Sequence, residues 1–181
     1  MGLDSIELIV HVEDRFKIEI SDHEACRIYT VKDLMDCICS KVQYTSKNSI
    51  YSQEVSEKFS QIYTSITNNP LDYHSALNKQ TTSDLFKQFW SRLQNDFNIP
   101  RQPNKAKLLL IKKVKPLTYY SPYQLIDWIV CLNFAKNMKV EMEISKYDIL
   151  HIIKGILMNN YNVPHPKIQL ESRFRNDLGL D

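Results

Sequence analysis

The chain has 181 residues, 43% hydrophobic and 24% charged, with a formal net charge of +2. That mixture is the ordinary globular one and excludes a disordered tail or a fibrous repeat. Three glycines leave little material for a Gly-rich phosphate cradle and favour helix instead, and no apolar run approaches the roughly eighteen residues a membrane helix needs. The opening Met1-Gly2-Leu3-Asp4 carries an acid where a signal peptide carries positive charge, which reads as a soluble, cytoplasmic protein.

The first forty-odd residues read as three helices. Ser5 to Phe16 places Ile9, Val12 and Phe16 at i, i+3, i+7, with Glu7, Glu13 and Asp14 off that stripe. Asp4 or Ser5 is expected to cap it, because a short polar side chain there accepts a free backbone N–H. Ser21-Asp22-His23-Glu24 has the form of a capping box opening a short second helix. Thr30-Val31-Lys32-Asp33 opens a third that buries Val31, Leu34, Met35 and Ile38. A segment this short cannot bury a sufficient core by itself.

Residues 44–56 are polar and Ser-rich and read as a linker. Glu54 to Ile66 follows as a helix with Val55, Phe59, Ile62, Tyr63 and Ile66 inward, ended by Asn68-Asn69-Pro70. Ser83-Asp84 caps a helix from Leu85 to Phe97 that turns Leu85, Phe86, Phe89, Trp90 and Leu93 inward. Leu108 to Val114 is the best strand candidate. Ser121-Pro122 opens an apolar helix from Tyr123 to Phe134, carrying Leu125, Ile126, Trp128, Ile129 and Leu132. Aromatics at this spacing read as core and not as a stacking platform for bases. Ser145 caps the last long helix, Lys146 to about Tyr161, and an extended loop runs on to Asp181.

Leu93-Gln94-Asn95-Asp96-Phe97-Asn98-Ile99-Pro100 matches Leu157-Met158-Asn159-Asn160-Tyr161-Asn162-Val163-Pro164. Shared turn chemistry and duplication of a helix-plus-loop unit both account for it. Cys26, Cys37, Cys39 and Cys131 show no CxxC spacing, and the five histidines show no HExxH or HxxxH. Neither set supports a metal site. Charge is uneven: residues 1–43 hold nine acids and five bases, a net of −4, whereas residues 44–144 hold thirteen bases and eight acids, a net of +5. The basic excess concentrates at Lys105, Lys107, Lys112, Lys113 and Lys115. Without a recognition motif it reads as a solvated strand edge, and no nucleic-acid partner is expected. No nucleophile–base pair or suitably spaced carboxylate pair appears, so an enzyme is not expected either.

The two chain ends carry a resemblance. Gly2-Leu3-Asp4-Ser5-Ile6-Glu7-Leu8, Val12-Glu13-Asp14-Arg15-Phe16, Ile18-Glu19-Ile20-Ser21-Asp22 and Thr30-Val31-Lys32-Asp33-Leu34 resemble the acyl carrier protein family from its prosthetic-group serine to its last helix. Ile168 and Glu171 through Leu178-Gly179-Leu180-Asp181 resemble the first loop of the same family, which normally runs directly into that serine. The halves therefore stand in swapped order. The resemblance implies a mainly helical protein: a four-helix carrier bundle made of residues 1–43 and 145–181, with residues 44–144 as a linker and helical insert domain holding a short strand pair. Its core would be Ile149, Ile152, Ile153, Ile156, Ile9, Val12, Phe16, Leu34 and Ile38. The halves could join within one chain, as in a circular permutation, or between two chains of a swapped homodimer. A cut between two tandem carriers is the remaining alternative.

In such carriers the serine hydroxyl anchors 4′-phosphopantetheine, which a phosphopantetheinyl transferase attaches. Its thiol holds an acyl group as a thioester for acyl-processing enzymes of fatty-acid, lipid or polyketide-type synthesis. The resemblance assigns the anchor to Ser5, next to Asp4, at a helix N-terminus whose free N–H groups favour phosphate. Glu7, Glu13, Asp14 and Glu19 would form the acidic face that steers basic partners. One departure stands out. Ser5 lies eleven residues before Phe16, about three fewer than the family has. Aligned on Phe16 instead, Gly2 falls at the modified position and Asp181 directly precedes it. In that register the protein is a non-loading, carrier-like interaction module whose insert binds a partner.

Overall fold

The computed structural model describes residues 2–47, 49–99, 119–137 and 144–181. The Leu108–Val114 strand candidate and the five lysines of the basic run lie outside them. The described chain is mainly helical with one short strand pair, and it divides into two compact units, residues 1–49 with 131–181 and residues 50–130. None of the described helices is long and apolar enough to cross a membrane.

The first unit contains α1 (Leu3–Phe16), α2 (Asp22–Ala25), α3 (Val31–Lys41), β1 (Tyr44–Thr45), β2 (Ile144–Ser145) and α8 (Lys146–Asn160). β1 and β2 pair in parallel, Tyr44 opposite Ile144 and Thr45 opposite Ser145. α8 packs on α1 and α3. Its Ile149, Ile152, Ile153 and Ile156 are buried, as are Leu8, Ile9, Val12 and Phe16 of α1 and Val31, Leu34, Met35 and Ile38 of α3. The helix starts follow local chemistry. Ser21 with Glu24, Thr30 with Asp33 and Ser145 with Asp148 each form a reciprocal capping box, which satisfies backbone donors that a helix start leaves free.

The second unit holds α4 (Ile50–Thr67), α5 (Leu77–Gln80), α6 (Ser83–Asp96) and the first part of α7 (Pro122–Asn137). α4 packs on α6. Phe89 is met edge-on by Phe59 at 5.0 Å and by Tyr63 at 5.5 Å, the arrangement that places positive ring edges on negative faces. Phe86, Trp90 and Trp128 stack in sequence at 6.2 and 6.1 Å. Phe59, Tyr63, Phe86, Phe89 and Trp90 are core, and Trp128 is half-buried.

Four details differ from the sequence expectation. α1 begins at Leu3 with Gly2 in the cap position and no side-chain cap, so Asp4 and Ser5 lie inside its first turn. α4 begins at Ile50 and absorbs half of the presumed linker, because serine is only mildly unfavourable in a helix and Val55 already sits on the buried stripe. Thr82, not Ser83, caps α6 by accepting from the Leu85 N–H. Residues 162–181 are no simple extended loop: they contain a 3-10 turn at His165–Lys167 and a π-helical turn at Phe174–Leu178.

Candidate functional site at the start of helix α1

The first turn of α1 is shaped by the other end of the chain. The Ser5 N–H and the Ser5 hydroxyl both donate to the carbonyl oxygen of Asp181, at 3.2 and 2.8 Å. Residue 181 thus takes a backbone donor that a capping side chain would otherwise accept, which explains how Gly2 suffices in the cap position. Gly2 is there for proximity and not for backbone freedom. Its φ of −81° suits any residue, but a Cβ would run into the backbone of Asp181.

Asp181 is delivered by residues 168–181. Ile168, Phe174 and Leu180 are buried and tie this segment to the first unit, and the Leu180 N–H donates to the Phe174 carbonyl at 2.9 Å. Gly179 adopts a φ of +77°, a left-handed turn that disfavours side chains, and this turns the chain toward α1. Thr30 and Arg173 form an antiparallel bridge.

The predicted acidic residues are not equivalent. Glu7 and Glu19 are exposed, and Asp4 is half-buried. The Glu13 carboxylate turns inward and accepts the Ile20 N–H at 2.6 Å, so it also fixes the turn after α1. Asp14 is exposed and pairs with Lys17 at 2.7 Å, and that hydrogen bond and charge hold its carboxyl below the usual range. The sequence reading missed an apolar stripe. Leu3, Ile6 and Val10 are 71%, 49% and 55% exposed. Their i, i+3, i+7 spacing is a legible signal for a second apolar face, opposite the buried one. At the rim, His11 Nδ1 lies 3.0 Å from the hydroxyl of Tyr161, which burial, then the charges of Glu7 and Asp4, push above its ordinary pKa.

No disulfide joins the four cysteines, and burial raises the thiols of Cys37 and Cys39 above their ordinary value. That direction disfavours the thiolate and with it nucleophilic chemistry.

No protein-family profile matches this chain, and no solved structure matches it either. A 41-residue stretch is 50% identical to an acyl carrier protein of the cyanobacterium Thermosynechococcus vestitus. The match takes in 23% of this chain and 51% of that protein, so the chain spans about half the length of the curated relative. In that part, the chain is similar to an acyl carrier protein.

Proposed function

We propose that this chain is an acyl-carrier-like module that works by docking partner proteins through α1 and does not itself carry an acyl group. The observation that carries the reading is the first turn of α1, where Gly2 stands in the cap position and Asp181 lies against it. A carrier needs a free hydroxyl at that place, beside unsatisfied backbone N–H groups that welcome phosphate. Gly2 offers none, and the Asp181 carbonyl already occupies the Ser5 N–H and hydroxyl. In the register aligned on Phe16, the Gly2 position therefore has no hydroxyl to anchor 4′-phosphopantetheine.

In this reading residues 145–181 supply the first carrier helix and its loop, and residues 1–43 supply the helices that follow. The two segments stand in reverse order along the chain, with residues 44–144 inserted between them. Partners are proteins with an apolar groove rimmed by basic residues. Leu3, Ile6 and Val10 would enter the groove, and Glu7 and Glu19 would meet the rim.

A second reading keeps Ser5 as the attachment point of the prosthetic group. It is favoured by the Gly2-Leu3-Asp4-Ser5 sequence and by the exposure of the hydroxyl bond within the first helical turn. One experiment separates the two. The full chain is incubated with coenzyme A and a broad-specificity phosphopantetheinyl transferase, and its intact mass is measured beside that of Ser5→Ala. The docking module predicts no mass gain in either. A gain in the wild type that is lost in Ser5→Ala would install the loaded carrier instead.

A further inference from the structure

Two helices of the first unit begin at the same strand of chain. At the start of α3, Thr30 Oγ1 accepts the Asp33 N–H at 3.1 Å, and the Thr30 carbonyl accepts the Leu34 N–H at 3.2 Å. The two remaining donors of that turn go to a distant segment: the Val31 N–H to the Ser172 carbonyl at 3.2 Å and the Lys32 N–H to the Leu170 carbonyl at 2.9 Å. The reciprocal bond runs from the Phe174 N–H to the Tyr29 carbonyl at 3.1 Å. Seven residues further on, the Asp181 carbonyl takes the Ser5 N–H of α1. A helix start leaves about four N–H groups without partners, and losing a partner from such a group is costly where water cannot reach it.

We propose that residues 168–181 form a latch that closes the N-termini of α1 and α3 as one cooperative unit. The inference rests on these contacts and not on the carrier reading. Three features make the segment act as one body. Ile168, Phe174 and Leu180 anchor it at its start, middle and end. Ser172 Oγ bridges back to the Lys167 carbonyl at 2.8 Å and accepts the Gln169 N–H at 3.0 Å, which folds the first part on itself. The Leu180 N–H bond to the Phe174 carbonyl does the same for the last part. The latch's bonds to α1 and α3 use N–H groups at the helix starts that the helices' own ladders leave free, so opening the latch does not by itself break either ladder.

The test is native-state amide hydrogen exchange on the full chain, read at Ser5, Val31, Lys32 and Phe174 and compared with Val12 and Ile38. A latch predicts a common protection at the first four that is lower than at the last two. Leu180→Ala, which empties a buried site, should speed all four by a shared factor of about tenfold or more and leave Val12 and Ile38 unchanged. Acceleration at Ser5 alone, with Val31 and Lys32 unmoved, overturns the proposal. If Leu180→Ala unfolds the unit, the wild type is followed in rising sub-denaturing urea. Merging of the four amides into one opening supports the latch, and separate openings for the Ser5 and Lys32 amides refute it.

Discussion

Gly2→Ala probes the junction that decides the reading of the first turn. The backbone alone gives no cost, since φ −81°, ψ 178° is ordinary extended geometry. Stiffening the unfolded chain would favour alanine by about 0.4–1 kcal/mol. Two effects oppose it. Alanine is a poorer cap residue than glycine, a loss of roughly 1 kcal/mol. The new Cβ would also meet the backbone of Asp181 and its Cβ, the latter at 2.8 Å, so residue 181 must withdraw. Withdrawal gives up the two bonds to Ser5, each worth about 0.5–1.5 kcal/mol when exposure to water is allowed for. The net expectation is destabilisation by about 1–3.5 kcal/mol. Only the withdrawal depends on residue 181. A double-mutant cycle with a chain ending at Leu180, measured by urea unfolding, should therefore give a coupling of about 1–3 kcal/mol. Additivity within about 0.5 kcal/mol would mean that residue 181 does not press on Gly2, and the account of the first turn would fall.

Three further outcomes follow from the same structure. The Glu24 carboxyl is lowered from 4.5 to about 2, first by its hydrogen bond to Lys41 and then by those from Ser21. A depressed folded-state value gives stability that is present above about 4.5 and lost as pH falls toward 2. Glu24→Gln should flatten the fall of the urea midpoint across that window, and an unchanged slope would count against it. Phe59 is fully buried against Phe89; Phe59→Ala should cost about 3–5 kcal/mol in urea unfolding, and a loss under about 1 kcal/mol would show that the ring is not core. Glu7→Lys with Glu19→Lys should weaken binding to an acyl-carrier-binding enzyme in low-salt calorimetry, with the loss shrinking as salt rises, because exposed charges are screened. Equal binding at low salt would make these acids a merely solvated face. Glu13 is left out of that pair because its carboxylate holds the Ile20 N–H, so replacing it would disturb the fold as well.

What the sequence by itself determined is local. Capping boxes at Ser21 and Thr30 and the Ser145 cap were readable because each bond spans only three residues; the return bond to the Asp148 carboxylate was not read. The buried stripes of α1, α3 and α8 were readable because helical periodicity places side chains on one face whatever the partner is. The paired motifs Leu93–Pro100 and Leu157–Pro164 share one local feature: Asn98 and Asn162 both take the left-handed conformation after a helix, at φ 49° and 54°, a position asparagine tolerates. The beginning of α1 was not legible in this way. Gly2-Leu3-Asp4-Ser5 offers two polar side chains suited to a cap, and residue-by-residue chemistry selects one of them. Only the tertiary structure brings the carbonyl of residue 181 to the Ser5 N–H, across 176 positions of chain, so that neither side chain is needed and glycine holds the cap position. The exposed face of Leu3, Ile6 and Val10 was missed because periodicity identifies the stripe that packs inward but does not say that apolar residues on the opposite face stay uncovered, which only the tertiary packing shows.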